Sequence, residues 1–338
     1  MFREKEVTFF PTYGYRDGDA WTVPVRVWVH KRRRIDHLSD EHIRALLSDD
    51  EGGPVPTEDE VVRCRQCVAD FIADSDSGER VVLLDEAGRE LYRFPSETNA
   101  NGLAEGELRL PGDLRGRQTI TARVEQTIGR DHEGRGRVML LEPEGRSVVS
   151  DIDDTIKVSE IPAGGRIILR NTFLRDYVAA EGMLDRYRAF GDEVSFHYVS
   201  GSPWQLFRLL HKFLVEDGGF PEGTFHMKSL RTSPLDLVNF IGDLKKFVSG
   251  KDSTKQQKIE QITELMTNLP GRKFTLIGDS GELDPEVFTH IRGERPEQVE
   301  KIIIRDVVNA RERNRERLAA VDEIIEAPLV EHGRSQFS

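Results

Sequence analysis

Cysteine is almost absent: the chain has two in 338 residues, Cys64 and Cys67. Two are too few for a disulfide framework. A C-x-x-C pair can serve redox chemistry or form half a zinc site, but no second pair and no suitably spaced histidine pair completes a ligand set. The stretch Glu58–Ile72 around them has helical periodicity, so the expectation is two thiols one turn apart on a helix. Long apolar runs are missing too. None reaches the roughly 18 residues of a membrane span, and Met1-Phe2-Arg3-Glu4-Lys5-Glu6 lacks the apolar core of a signal peptide. Cytoplasmic residence is the expectation. Positive charge is also short. There are 48 Lys and Arg against 60 Asp and Glu, a net charge of -12. Nucleic-acid binding needs a basic face, so no nucleic-acid partner is expected. Long-range attraction to anionic membranes is disfavoured as well. A local basic patch such as Lys31-Arg32-Arg33-Arg34 can still act within a Debye length.

What remains is a globular composition, 37% apolar and 32% charged, with length for two domains. Residues 1–145 read as mostly β. Val7-Thr8-Phe9-Phe10 and Trp21–His30 are strands, the second with Val23, Val25, Val27 and Val29 alternating onto one face. Helices are expected at 39–48 and 57–73, the second opened by the capping box Thr57-x-x-Glu60. Further short strands near 80–84, 90–94, 107–110, 118–124 and 136–141 suggest a sandwich-like fold with a helical insertion. His30, His37 and His42 are scattered, and no catalytic constellation is visible here.

The pattern changes after Glu142-Pro143-Glu144-Gly145-Arg146. Strands at 147–152, 194–199, 224–230, 273–278 and 301–305 alternate with helices at 171–190, 203–216, 234–248, 254–268 and 285–291. Such alternation implies α/β architecture with a parallel sheet covered on both faces. The division expected is 1–145, 146–310, and a charged tail over 311–338 that is helical to about Glu326.

Chemistry concentrates at the strand ends of the second region. Val148-Val149-Ser150-Asp151-Ile152-Asp153-Asp154-Thr155 is an apolar run that ends in three carboxylates and a hydroxyl. Like charges clustered at a buried strand end repel and resist desolvation, so a hard divalent cation such as Mg²⁺ is the natural neutraliser. Asp151-x-Asp153-x-Thr155 is therefore read as the floor of a metal and phosphate site. The next strand ends in Val199-Ser200-Gly201-Ser202-Pro203. Ser200 can hold a phosphate oxygen, Gly201 permits close approach, and Ser202 is placed to N-cap the following helix. The fourth strand ends in Gly278-Asp279-Ser280-Gly281-Glu282-Leu283-Asp284. Adjacent strands lie about 4.8 Å apart, so Asp279 can share an ion with Asp151, while Asp284 can orient a metal-bound water. Phosphate charge also needs a cation, and either Lys258 or its rival Lys255 can supply it.

These stretches carry a resemblance. Asp151-x-Asp153-x-Thr155, Ser200, the lysine and Gly278-Asp279-x4-Asp284 resemble the four ordered motifs of the haloacid-dehalogenase phosphatase superfamily. Ser150–Lys157, Phe196–Leu206 and Gly278–Glu286 are more narrowly similar to the actin-patch-associated phosphatidate phosphatase family. The resemblance implies a Rossmann-like domain over 146–310 and Mg²⁺-dependent two-step phosphoryl transfer. Asp151 would be the nucleophile, Asp153 the acid and base, and Thr155 a helper of Asp151. Asp151, the Asp153 carbonyl and Asp279 would hold the metal, with Asp284 beside them, and Ser200 and Lys258 would offset phosphate charge. The gaps between motifs leave no room for a large cap. An open cleft suits a phosphatidate-like lipid phosphate at a membrane surface, with peripheral association. Trp204, Phe207, Phe240 and Phe247 are either acyl contacts or core. The alternatives are a capless phosphatase for another phosphomonoester, or a membrane or cytoskeletal adaptor with a vestigial catalytic half.

Overall fold

The computed structural model describes residues 5–31, 57–71, 74–126, 131–161, 171–173, 175–228, 251–308 and 316–328. The helices expected at 39–48 and 234–248, Arg32–Arg34, His37, His42, Phe240 and Phe247 lie outside the described residues. The strands of the first region are β1 Lys5–Phe9, β2 Thr12–Asp17, β3 Ala20–Lys31, β4 Asp74–Ser75, β5 Val81–Leu84, β6 Glu90–Arg93, β7 Leu103–Pro111, β8 Gly116–Val124 and β9 His132–Leu140. They follow the order β1-β3-β2-β9-β8-β5-β6, with β4 and β7 on β3. Their pairing is antiparallel except where β2 meets β9.

The alternating valines of β3 point as expected. Val23, Val25, Val27 and Val29 are buried with Leu83, Leu108, Ile120 and Val138 in one core. The opposite face of β3 is not solvated, however. Trp28 is 4% exposed and His30 1%, because Trp28 joins a second core that belongs to the parallel sheet. Helix α1, Glu58–Phe71, packs into the same core through Val61, Cys64 and Cys67. Its capping box forms. Glu60 N donates to Thr57 Oγ1 at 3.2 Å, and Thr57 N donates to Glu60 Oε2 at 2.8 Å. Neither thiol is in a disulfide and both are buried, and burial pushes the Cys64 thiol up to about 12, far from a reactive thiolate.

The second region holds β10 Gly145–Ser150, β11 Val194–Pro203, β12 Gly223–Lys228, β13 Arg272–Asp279, β14 Val299–Asp306 and β15 Glu323–Glu326. All are parallel, in the order β12-β11-β10-β13-β14-β15. Residues alternate between two apolar layers. Val148, Phe196, Tyr198, Phe225, Ile277 and Ile303 face one core, and Val149, Val199, Leu276, Ile302 and Ile304 the other. Burial on both faces is what near-continuous apolar strands require. Connections run through α2 Met183–Arg188, α3 Phe207–His211, α4 Lys251–Asn268 and α5 Asp284–Glu294. Among the described residues no helix is long and apolar enough to cross a membrane.

Two expectations are corrected. Among the described residues, the helix read over 171–190 is helical only at 171–173 and Met183–Arg188. Residues 178–180 instead run extended beside 156–158, with Val158 N bonded to Val178 O at 2.9 Å and Ala180 N to Ile156 O at 2.6 Å. The charged tail is not a helix up to Glu326. Glu323–Glu326 form β15 on β14, because this covers a sheet edge that would otherwise stay unpaired.

Arg272 ties the linker to the sheet. Its guanidinium donates to the carbonyls of Glu142, Glu144 and Arg146 at 3.0, 3.0 and 2.5 Å, and to Ser147 Oγ at 3.0 Å. Beside it, His197 lies fully buried between Thr224 Oγ1 at 2.7 Å and Ser147 Oγ at 3.3 Å. Burial first, then His226 and Arg272, hold the His197 imidazole neutral, well below its usual range. The unfolded chain takes up this proton below about pH 6.5, whereas the folded chain does not. His197 therefore subtracts stability as the pH falls below 6.5. Urea unfolding at pH 7.5 and 5.0 checks this. The loss on acidification should be smaller in His197→Gln, and equal losses would contradict it.

Candidate active site

Strand register assembles the site. Ser150 lies opposite Tyr198 of β11 and Ile277 of β13. The next residue, Asp151, thus emerges between the ends of both neighbours, and its N–H still bonds Ile277 O at 2.9 Å. Ser200 and Asp279 stand two residues past those partners. In an open α/β sheet the carboxyl ends beside the reversal of strand order form a crevice, and here that reversal flanks β10 and β13.

Asp151 is fully enclosed. Its Oδ1 accepts from Lys258 Nζ at 2.8 Å, and its Oδ2 from Thr155 Oγ1 at 3.0 Å. Lys258 also donates to Asp284 Oδ1 at 2.6 Å and Glu282 Oε2 at 3.2 Å. This decides where the two lysines stand. Lys258 is 2% exposed in the centre of the cluster, while Lys255 is half-buried at the rim of a small cleft shared with Thr254 and Glu282. Burial pushes the Asp151 carboxyl well above the usual range; Lys258 opposes this, and Asp284, Glu282 and Asp153 add to it. Burial with Asp284, Asp151 and Glu282 does the same to Asp279. Glu282 is raised too, chiefly by burial.

Asp279 Oδ1 accepts from the backbone of Gly281 at 2.6 Å and Glu282 at 3.1 Å, but its buried Oδ2 has no partner among the described residues. One oxygen from each of Asp151, Glu282 and Asp284 lies within 4.8 Å of the others. An orphaned carboxylate oxygen beside three more acids is a donor set for a hard divalent cation. Gly278 is required at this spot, since a Cβ there would collide with the Asp284 side chain.

Asp153 faces the other side of the site. Lys157 Nζ at 2.9 Å and Ser159 Oγ at 2.6 Å donate to its Oδ1, and Ser202 Oγ at 3.0 Å and Ser200 Oγ at 3.4 Å donate to its Oδ2. Burial works against ionisation, but Lys157 and these hydroxyls prevail and hold the carboxyl down to about 2. Lys157 is itself 2% exposed, with its ammonium 4.6 Å above the Tyr177 ring. Asp154 has a different task. It adopts a left-handed backbone, φ 58, and its carboxylate binds the N–H groups of Ser159, Glu160 and Ile161 at 2.8, 2.7 and 2.6 Å, closing the loop that presents Lys157 and Ser159.

One reading of the serine loop needs correction. Ser202 does not cap a helix: its hydroxyl goes to Asp153, and Pro203 precedes a single 3-10 turn, Trp204–Leu206, before α3. Gly201 is needed for packing against α4, where a Cβ would stand 2.7 Å from Thr254 Cγ2. Trp204 and Phe207 are core residues. Sequence reasoning missed Glu282, Lys157, Ser159 and the role of Ser202. Glu282, Lys157 and Ser202 lie inside the quoted motifs and Ser159 two residues beyond one of them, but only tertiary packing turns them inward.

Residues 146–306 match the family described as phosphatidate phosphatase APP1, catalytic domain. Over that segment the chain is similar to the APP1 catalytic-domain family. Phosphatidate phosphatase APP1 of Saccharomyces cerevisiae is 34% identical over 172 residues, half of this chain and 27% of the yeast protein. An uncharacterized protein of Schizosaccharomyces pombe is 31% identical over 175 residues, 51% of this chain and 27% of its own length. The matched part thus spans about a quarter of these relatives. A solved Bifidobacterium dentium beta-glucuronidase overlaps 96% of this chain and 60% of its own at 10% identity, with a TM-score of 0.28, too low to bear on the fold. The carboxylates described above, Ser200 and Lys258 all fall inside the APP1-type segment.

Lys258→Met leaves this acid cluster without its ammonium. The metal-free variant should be less stable by about 3 kcal/mol, a fall in Tm of roughly 5 °C or more by calorimetry. An unchanged Tm would show that the ammonium is not what balances these acids.

Proposed function

We propose that this chain is a Mg²⁺-dependent phosphatidate phosphatase-like hydrolase on a haloacid-dehalogenase-type domain without a large cap. The observation that supports this most is the convergence of Asp151, Asp279, Asp284 and Lys258 at neighbouring strand ends, with Asp153 and Ser200 across from them. Asp151, the Asp153 carbonyl, Asp279 and Asp284 would hold the ion, with Glu282 adjacent. Bound Mg²⁺ would keep Asp151 ionised and offset charge on the phosphoryl group.

In the first half-reaction an Asp151 carboxylate oxygen bonds to phosphorus while the bond from phosphorus to the ester oxygen breaks. Asp153 gives its proton to the departing alkoxide. In the second, water attacks the aspartyl phosphate, Asp153 takes the water proton, and the bond to Asp151 breaks to release inorganic phosphate. Asp153 starts as a carboxylate, because Lys157 and the hydroxyls favour that form. An arriving phosphate dianion raises its proton affinity by like-charge repulsion, and the carboxylate takes up a proton from solvent before it acts as the acid. Thr155 holds the Asp151 carboxylate in place. Ser200 and Lys258 meet the phosphate oxygens.

The lipid assignment rests on the yeast relative, which is named a phosphatidate phosphatase. We infer peripheral contact with a lipid surface rather than insertion. We also read the β region up to about residue 145 as a separate domain joined through Arg272.

Phosphate release from phosphatidate in mixed micelles, run beside soluble phosphomonoesters, tests the reading. Release should need Mg²⁺ and fall at least about 1,000-fold in Asp151→Asn, as for loss of a nucleophile. Asp153→Asn should lose about 100-fold or more. Release from soluble esters alone would replace the lipid with another phosphomonoester. Equal release by Asp151→Asn would overturn the mechanism.

A further inference from the structure

The turn from β13 into α5 carries Glu282 and fixes the attitude of Asp279, and a side chain from far along the sequence grips it. Arg317 lies in the stretch 316–328, past residue 306 where the APP1-type segment ends. Its Nη1 donates to Ser280 O at 2.7 Å, and its Nη2 donates to Glu282 O. Nε and Nη2 together fork the carboxylate of Glu286 in the first turn of α5, the Nη2 bond at 3.0 Å. A planar guanidinium suits this task, because its donors leave in fixed directions and lose little freedom per bond formed. The Arg317 side chain is 22% exposed, so the contact is largely sheltered from water.

The stretch that presents Arg317 is docked by other means. Leu318 is 6% exposed in the core that holds Val287 and Phe288 of α5. Arg292 donates to Ala320 O at 2.8 Å, and Asp322 Oδ2 accepts from Ile302 N at 2.7 Å, ahead of β15. What Arg317 adds is a hold on two carbonyls of the turn.

Those carbonyls are tied to Asp279. The peptide between Ser280 and Gly281 gives its carbonyl to Arg317 and its N–H to Asp279 Oδ1, the latter at 2.6 Å. Glu282 is held in the same way, with its N–H on Asp279 Oδ1 at 3.1 Å and its carbonyl on Arg317. A cation on a peptide carbonyl polarises the group and strengthens its N–H as a donor. Two N–H groups then fix Oδ1, which sets the direction of Oδ2, the buried oxygen with no partner among the described residues. The Glu282 carboxylate is sent to Lys258 by the same turn.

We propose that Arg317 is a positioning residue of the metal site. It locks the turn so that Asp279 Oδ2 is presented to the divalent ion, which brings the stretch beyond residue 306 into the hydrolase machinery. This deepens the Mg²⁺ reading given above and rests on it. Groups that orient a metal ligand from behind typically govern about 10–100-fold in metal affinity.

Mn²⁺ titration of the full chain, followed by the electron paramagnetic resonance of the free ion, tests the proposal. Binding that disappears in Asp279→Asn defines the site. Arg317→Gln, folded by circular dichroism, should weaken that binding about ten-fold or more. Asp322→Ala loosens the same stretch at its other anchor without touching the turn, and its Mn²⁺ affinity should equal that of the wild type. Wild-type affinity in Arg317→Gln would overturn the proposal and leave the metal site standing. So would an equal loss in Asp322→Ala, since the effect would then follow the docking of the stretch and not the guanidinium. Wild-type binding no stronger than that of Asp279→Asn would overturn the metal reading and this proposal with it, so the two failures are distinguishable.

Discussion

Uncompensated negative charge at the carboxyl edge of one parallel sheet governs this molecule. Asp151, Asp279, Glu282 and Asp284 are drawn together around the single ammonium of Lys258. Two like charges 4.8 Å apart, the outer spacing of the oxygens of Asp151, Glu282 and Asp284, repel by about 3–4 kcal/mol at an effective dielectric of 20. One lysine cannot cancel several such terms. Burial first, with this excess added to it, raises the carboxyl proton affinities, and one Asp279 oxygen has no partner among the described residues. Such a cluster gains from whatever cation enters it. Asp153 lies in the opposite electrostatic setting a few ångströms of chain away, where Lys157 and three hydroxyls stabilise its charge. Two aspartates separated by one residue are thereby pushed apart in acidity, which suits them to different tasks.

The rest of the fold makes that concentration affordable. Parallel pairing in fixed register stacks three strand ends side by side, and apolar layers on both faces keep the strands from sliding. Asp154 spends its carboxylate on three backbone N–H groups, and Arg305 Nη1 holds the Asp154 carbonyl at 2.6 Å, so the loop after β10 is held from both sides. The β region contributes more than an appendage would. Phe10, Trp28 and α1 complete the core beneath the serine loop, and Tyr13 OH accepts from Asn268 Nδ2 at 2.9 Å at the far end of α4.

Much of the site was legible because the acids sit at strand ends, and strand ends can be found from apolar runs. Asp151, Asp153, Ser200 and Asp279 need only that logic. Lys258 and Lys255 could not be separated, because residues three apart share a helix side and packing alone picks one. Glu282 was quoted within its motif but given no task, since the turn that bonds its N–H to Asp279 also brings its carboxylate to Lys258. Ser202 looked like a cap by its spacing from Gln205, but a nearby carboxylate outbid the backbone. The errors of secondary structure share one cause. Residues 178–180 and Glu323–Glu326 carry local patterns compatible with a helix, yet each lies along an unpaired extended segment whose backbone groups need partners.

The central claim is that the acidic ends of β10 and β13 hold one divalent ion beside Asp151. Anomalous diffraction from crystals soaked in Mn²⁺ tests it most directly. The account predicts one strong peak at the sheet edge, within bonding distance of both Asp151 and Asp279, which disappears in Asp279→Asn. A peak bound only by surface carboxylates, or none between these two strands, would contradict it.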